Sequence, residues 1–310
     1  QKRFSDVNTY MEQFLYSFEK NGKILDTLKD VKQLFEEADD ALGFSLTKLC
    51  FEGPDEELMK TYNTQPAILT ASTACCRVLA QEGLTPDIAA GHSLGEYSAL
   101  VAAGALTFAD AVRTVRLRGQ FMQEAVPLGE GGMAAILGLA EDKIKDICAQ
   151  ISAQGGTVQA VNFNCPGQIV IAGARAAVER AMAAAKARGA KRAVLLPVSA
   201  PFHCALMKPA AERLQQRLAD IEVRVPAIPV LNNVDVAVET DPVRIKDALV
   251  RQAYSPVRWI ETVQEIARRG ATHVFECGPG KVLAGMTKRI EGSLQGAAIA
   301  DAASLEEILK

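Results

Sequence analysis

A strong excess of charge of one sign is missing from this 310-residue sequence: 34 Lys and Arg stand against 37 Asp and Glu, for a formal net charge of −3. That balance supplies no electrostatic pull toward nucleic acid or an anionic membrane, so neither is expected as a partner. No apolar run approaches the ~20 residues of a membrane helix, and the first residues, QKRFSDVNTYMEQ, hold no signal-peptide core. Pro/Gly/Ser linkers, low-complexity tracts and internal repeats are absent too. The seven cysteines (Cys50, Cys75, Cys76, Cys148, Cys165, Cys204 and Cys277) are odd in number and never spaced C-x-x-C. This argues against a disulfide framework or a zinc site and for buried thiols in a reducing compartment. A cytoplasmic chain with no metal is expected.

What is present is core material. The sequence is 49% hydrophobic and 23% charged, and its length exceeds the roughly 100–200 residues of one ordinary domain, so two domains or one with an insertion are expected. Residues 32–44 carry Leu34, Phe35, Ala38, Ala41 and Leu42 at helical spacing, with Gly43 as a stop. Residues 64–83 read as an apolar helix ended by Gly83, and Thr107 with Asp110 as a capping box opening a helix to about Ala125. Between 131 and 198 the pattern changes. MAAILGL, TVQAVNFN, QIVIAG and KRAVLLPV read as strands, EDKIKDICAQIS and ARAAVERAMAAAKARG as helices, with Cys165-Pro166-Gly167 as a turn. That order, β-α-β-β-α-β, is the split pattern of a ferredoxin-like unit. The expected fold is α/β: a doubly wound, mainly parallel sheet formed by residues 1–128 and 200–310, with a small inserted domain at 129–199.

The chemistry begins at AAGHSLGEYSAL, where Gly91, Ser93 and Gly95 make a G-x-S-x-G pattern between a short strand and a helix. In such an elbow the glycines allow a sharp turn that lifts a serine hydroxyl above the sheet edge, and the amide of the next residue, Leu94, faces a developing oxyanion. The bland alternative is a serine capping a tight turn. A nucleophilic serine needs a base, and there are three histidines. His92 adjoins Ser93 and points away around the turn, which suits a structural or substrate-touching role. His273, in THVFEC, reads as a core or strand-end residue. His203, in PVSAPFHCALM, lies in a loop between rigid elements and is the expected base. Most acids between 93 and 203, such as Glu141 and Asp142, look solvent-facing and none stands out, so a standard hydrolase triad is not required and a neutral carbonyl is an alternative support for the imidazole. Arg118 lies at the border of the stripe Phe108, Ala111, Val112, Val115, Gly119 and Met122. It either snorkels along apolar surface or offers a guanidinium fork to a substrate carboxylate.

With these residues in view the chain resembles the malonyl-CoA:acyl carrier protein transacylases of fatty acid synthesis, and the related acyltransferase domains of polyketide synthases. The matching segments are LFEEADDALG, CFEGPDEEL, TQPAILTAS, GHSLGEYSALVAAGALTFADAV, RLRGQFMQEAVP, VNFNCPGQIVIAG, VSAPFHC, LVRQAYSPVRW and FECGPGKVLAGM, in family order over about residues 31–290. The resemblance implies a hydrolase-like α/β domain with a ferredoxin-like insertion. It implies Ser93 as the acylated nucleophile, His203 as base, Arg118 as the partner of the malonyl carboxylate and the Gln252 carbonyl as the support of the histidine. Asn162 would lie near the thioester-bearing arm. Phe202 would wall off the acyl α-carbon, the alternative being ordinary loop packing.

The expected activity is a ping-pong transfer of malonyl from CoA, through a seryl ester on Ser93, to the phosphopantetheine thiol of acyl carrier protein. It needs no cofactor beyond malonyl-CoA as substrate, and the chain is expected to be a monomer. A serine esterase or thioesterase, and a catalytically weak carrier-protein-binding module, are the alternatives. One departure stands out: residues 1–30 lack the family's first strand with its Gly-Gln-Gly-Ser-Gln loop, whose glutamine supplies a second oxyanion donor. FLYSF, at 14–18, is the candidate for that strand.

Overall fold

The computed structural model describes residues 25–299 and 301–309; the FLYSF strand candidate falls outside them. The chain is α/β and divides into two compact units. One holds the described residues up to Leu117, with Arg224–Val230 and the chain from Gly270 on; the other holds Arg118–Val223 and Leu231–Arg269. No described helix is long and apolar enough to cross a membrane.

The first unit opens with helix α1, Leu25–Leu42. Its apolar stripe buries Val31, Leu34, Phe35 and Ala38. Gly43 (φ +72°) ends it, its amide donating to the Asp39 carbonyl at 2.9 Å, because only a residue without Cβ enters the left-handed region cheaply. After α2 (Leu46–Glu52) and α3 (Asp55–Leu58) comes the long α4, Thr61–Gln81. Buried on nearly every side, α4 matches its almost uninterrupted small and apolar sequence. Strand β1, Ala89–Ala90, leads to helix α5, Gly95–Ala102, and then to α6, Phe108–Glu124. The Asp110 amide donates to Thr107 Oγ1 at 3.1 Å, so the threonine caps α6.

The second unit is organised by one four-stranded antiparallel sheet. Its strands are β2 (Gly131–Leu137), β3 (Val158–Cys165), β4 (Gln168–Ala174) and β5 (Arg192–Leu195), in spatial order β3-β4-β2-β5. Helices α7 (Glu141–Ala153) and α8 (Arg175–Ala187) supply the connections β2-α7-β3 and β4-α8-β5. Pro166 and Gly167 (φ +75°) form the tight turn between β3 and β4. KRAVLLPV yields a strand only over Arg192–Leu195, since Pro197 has no amide to donate to a ladder.

Alternation splits the sheet into two working faces. Ala134, Ile136, Ile169 and Ile171 pack with Ile144, Ile147 and Ile151 of α7 and Val178 and Ala181 of α8. Their neighbours Met133, Val170 and Ala172, with Val161, form a second cluster with Cys204, against which Phe202 and Leu206 pack. The helices therefore take one face and the loop bearing His203 takes the other.

Helices α9 (Lys208–Ala219), α10 (Pro242–Gln252) and α11 (Trp259–Arg268) complete this unit. Strand β6, Val230–Leu231, pairs with β1, and the Ala89 amide donates to the Pro229 carbonyl at 2.9 Å. In the first unit β7 (His273–Cys277) runs parallel to β8 (Gln295–Ile299), joined by the crossover helix α12, Val282–Ile290. Helix α13, Ala302–Ile308, closes the described chain.

Candidate active site

Ser93 stands between β1 and α5 with φ +54°, in the left-handed region. A serine is held there only when its surroundings overdetermine it. The surroundings are visible: a Cβ built on Gly91 would lie 1.8 Å from the carbonyl carbon of Gly95 and 2.3 Å from the Glu96 amide nitrogen. Nothing larger than glycine fits at 91, so the strand end and the helix start meet backbone to backbone. The amides of Gly95, Glu96 and Tyr97 donate to the carbonyls of His92, Ser93 and Leu94 at 3.0, 3.1 and 3.0 Å, closing the turn. Leu94 already has helical angles (φ −50°, ψ −38°). Its amide belongs to the first turn, where backbone N–H groups have no intrahelical acceptor and the helix dipole favours negative charge. His92 is half-buried beside the serine. Glu96, in the first turn of α5, is buried at 2% exposure. Sequence reasoning passed over this acid; its position right after the G-x-S-x-G pattern, in a helix otherwise made of apolar and small residues, was the available signal.

In the other unit His203 has φ +63° and is 4% exposed. Among the described residues only Val236 joins Ser93 and His203 as a non-glycine with positive φ. Several bonds fix the segment around it. Gln123 Nε2 donates to the Ser199 carbonyl at 3.4 Å, the Ala205 amide donates to Gln159 Oε1 at 2.7 Å, and the Cys204 thiol donates to the Pro201 carbonyl at 3.1 Å. Neither glutamine has a local sequence signal. Burial pushes the Cys204 thiol up to about 11, so this neighbour stays protonated near neutrality and is no rival nucleophile.

His203 Nδ1 lies 2.9 Å from the Gln252 carbonyl oxygen. A carbonyl carries no proton, so Nδ1 is the donor, and the neutral ring keeps the lone pair on Nε2. This is the tautomer a general base requires. The acceptor is available because Gln252 is the last residue of α10, where helix carbonyls lose their intrahelical donors.

The same residue reaches Arg118: Nη2 donates to Gln252 Oε1 at 2.9 Å, with both side chains buried. Arg118 is 3% exposed, so its guanidinium lies inside the unit rather than snorkelling to solvent. Arg113 and Arg116, off the apolar stripe of α6, behave differently. Arg113 is exposed on the Ala41 carbonyl, and Arg116 is half-buried over the rings of Phe44 and Tyr62.

Asn162 is in β3, bridged to Val257, and its Oδ1 is buried with no hydrogen-bond partner among the described residues. An orphaned buried acceptor costs about 1–3 kcal/mol and calls for an explanation. Phe202 is half-buried against the second face of the sheet. His273 is the exposed first residue of β7, its ring stacked near Phe275. Among the described residues no group of three or more His, Cys, Asp or Glu is placed to hold a metal ion. The sequence-derived residues thus fall into two sets, Ser93, Leu94 and His92 in one unit and His203, Gln252, Arg118, Asn162 and Phe202 in the other.

Comparison with known proteins matches residues 25–303 to the acyl transferase domain family. A malonyl CoA-acyl carrier protein transacylase of Salmonella typhimurium is 58% identical over 280 residues, 90% of this chain and 90% of that protein. The crystal structure of an acyl carrier protein S-malonyltransferase from Vibrio cholerae is similar with a TM-score of 0.91 at 54% identity, covering 96% of this chain and 95% of that one. A malonyl-transacylase in complex with its type II polyketide synthase acyl-carrier protein is similar with a TM-score of 0.88 at 55% identity, over 90% of each chain.

Proposed function

The chain belongs to the acyl transferase domain family, and from that premise we propose that it moves a malonyl group from malonyl-CoA to the phosphopantetheine thiol of acyl carrier protein, for fatty acid synthesis. The Ser93 hydroxyl attacks the thioester carbonyl while His203 Nε2 takes its proton. The Leu94 amide stabilises the tetrahedral oxyanion. CoA leaves as a thiol, protonated by His203, and malonyl remains as an ester on Ser93. In the second half the carrier thiol gives its proton to His203 and attacks that ester, and the serine is regenerated. Every proton is returned, and the sequence of steps needs no metal or redox group.

One observation carries the reading of the second unit: Gln252 receives His203 on its carbonyl and Arg118 on its amide, each at 2.9 Å. A neutral acceptor that fixes a basic tautomer, next to a buried cation, suits an acyl chain ending in a carboxylate. The buried Oδ1 of Asn162 supports its expected place near the amide-bearing arm of the thioester, whose N–H groups are donors. Phe202 is assigned to the acyl α-carbon and His92 to a substrate-adjacent position. The antiparallel order β3-β4-β2-β5 with two connecting helices supports a ferredoxin-like insertion at 129–199. The larger domain is taken as hydrolase-like, with its sheet mainly parallel. A monomer acting in the cytoplasm completes the proposal.

Incubation with radiolabelled malonyl-CoA, with and without acyl carrier protein, tests it. Label is expected on Ser93 alone, to be chased onto the carrier thiol, and Ser93→Ala is expected to remove the adduct and to lower turnover by about 10⁶-fold, as loss of a catalytic serine does elsewhere. Free malonate at the rate of CoA release would make the protein a thioesterase. Carrier binding without covalent label would make it a binding module.

A further inference from the structure

The backbone carbonyl of any residue at 252 could accept the His203 proton, so that contact does not explain why a glutamine stands there. Its side chain is fully buried, at 0% exposure. Burying a long polar side chain costs rotamer freedom and desolvation, so the amide is expected to do something that the backbone does not. What it reaches is Arg118 Nη2, at 2.9 Å.

We propose that the Gln252 amide is a specificity-determining group, which aligns the Arg118 guanidinium for a substrate carboxylate while adding no negative charge of its own. The proposal rests on the reading of Arg118 as the carboxylate binder. A guanidinium has five donors in a rigid fork, and Gln252 Oε1 engages one of them, setting the plane of the rest. Glutamate has the same shape as glutamine and would align the fork equally well. A buried carboxylate there would form a charge-assisted pair with Arg118, and the incoming substrate carboxylate would have to compete with it. Neutrality at 252 is therefore the property that matters. The platform is firm. The adjacent Arg251 binds both carboxylate oxygens of Asp235 at 2.9 and 2.7 Å, and its Nε donates to Asp247 at 2.7 Å, fixing the last turn of α10.

The test compares Gln252→Glu, Gln252→Met and Arg118→Ala as full-length proteins. The quantity read is the ratio of kcat/KM for Ser93 acylation by malonyl-CoA to that by acetyl-CoA, together with its pH profile. Gln252→Glu is expected to lower the ratio on the order of 100-fold, within the range for disturbing a buried charge pair. Gln252→Met, neutral and of similar volume but without the acceptor, should lower it about 10-fold, the loss of one hydrogen bond to a charged group. The acidic limb of the pH profile should stay where it is in Gln252→Met, because His203 is held by a backbone atom and no charge is added; a merely loosened helix end would shift it. A wild-type ratio in both Gln252 variants, or an equal loss on the two substrates, overturns the proposal while Arg118→Ala still loses malonyl. If Arg118→Ala itself keeps the ratio, the carboxylate reading of Arg118 fails and the proposal falls with it. Should Gln252→Glu not fold, the ratio in Gln252→Met decides alone.

Discussion

The serine region and the histidine region reach positive-φ backbone by opposite routes. Ser93 is placed by its own neighbours: a strand end, one glycine that admits no Cβ, and a helix start, all within residues 89–97. His203 is placed by partners far away in sequence. Its acceptor lies 49 positions on, and that same residue holds an arginine 134 positions earlier. The difference teaches that one half of this chemistry is written as a motif and the other half as an assembly. A motif is broken by one local change, whereas an assembly has several parts that can each be loosened.

The largest effect that sharpens this contrast should come from the base. His203→Ala is expected to slow both acylation of Ser93 and transfer to the carrier thiol by ~10²–10⁴-fold, the usual worth of general base catalysis. Single-turnover rates with malonyl-CoA, then with carrier protein, measure the two halves separately. Loss in only one half would mean that a different group moves the proton in the other.

Breaking the motif comes next. Gly91→Ala places a methyl group where Gly95 and Glu96 backbone atoms stand 1.8–2.3 Å away, so the elbow must open. Misplacement by about 1 Å costs on the order of 10²-fold in rate, and Ser93 acylation should fall at least that far with a lowered Tm. Near wild-type acylation would show that the elbow geometry is dispensable.

This contrast also explains what the sequence made legible. Alternating hydrophobics and a Pro-Gly turn announced the split sheet, because those signals are local. The elbow was legible for the same reason, and His203 emerged by elimination among three histidines. Arg118 could be placed only at the edge of its helical stripe, since the side chain it meets, Gln252, comes from α10. The Gln252 amide was invisible: in LVRQ it looks like one more polar residue at a helix end, and only the folded chain shows it to be enclosed. Glu96 was missed because helical position alone does not reveal which residues of α5 face inward.

A finer probe of the assembled half is Phe202, which packs on the same sheet face as the His203 loop. Phe202→Ser should raise methylmalonyl relative to malonyl acylation by about 10-fold, the worth of accommodating one extra methyl group. A ratio that does not move while Tm drops would assign the ring to packing alone.

The smallest expected effect lies at the anchor of α10. Hydrogen bonds from Arg251, and its charge with that of Arg258, hold the Asp235 carboxyl below the usual aspartate range. Folding is therefore favoured by the ionised form. That contribution is complete above the unfolded value of about 3.9, and it is lost as pH falls through the lower folded value. The Asp235 side chain is 39% exposed, so screening keeps its contribution near the surface-pair range of about 0.2–1 kcal/mol. Asp235→Asn should lower Tm slightly at pH 7, and the gap from wild type should close as pH falls below about 3.9. Paired melts across that range measure it. A gap of the same size at both ends would mean that the ion pair contributes nothing, and that the firmness of the Gln252 platform comes from packing and backbone bonds instead.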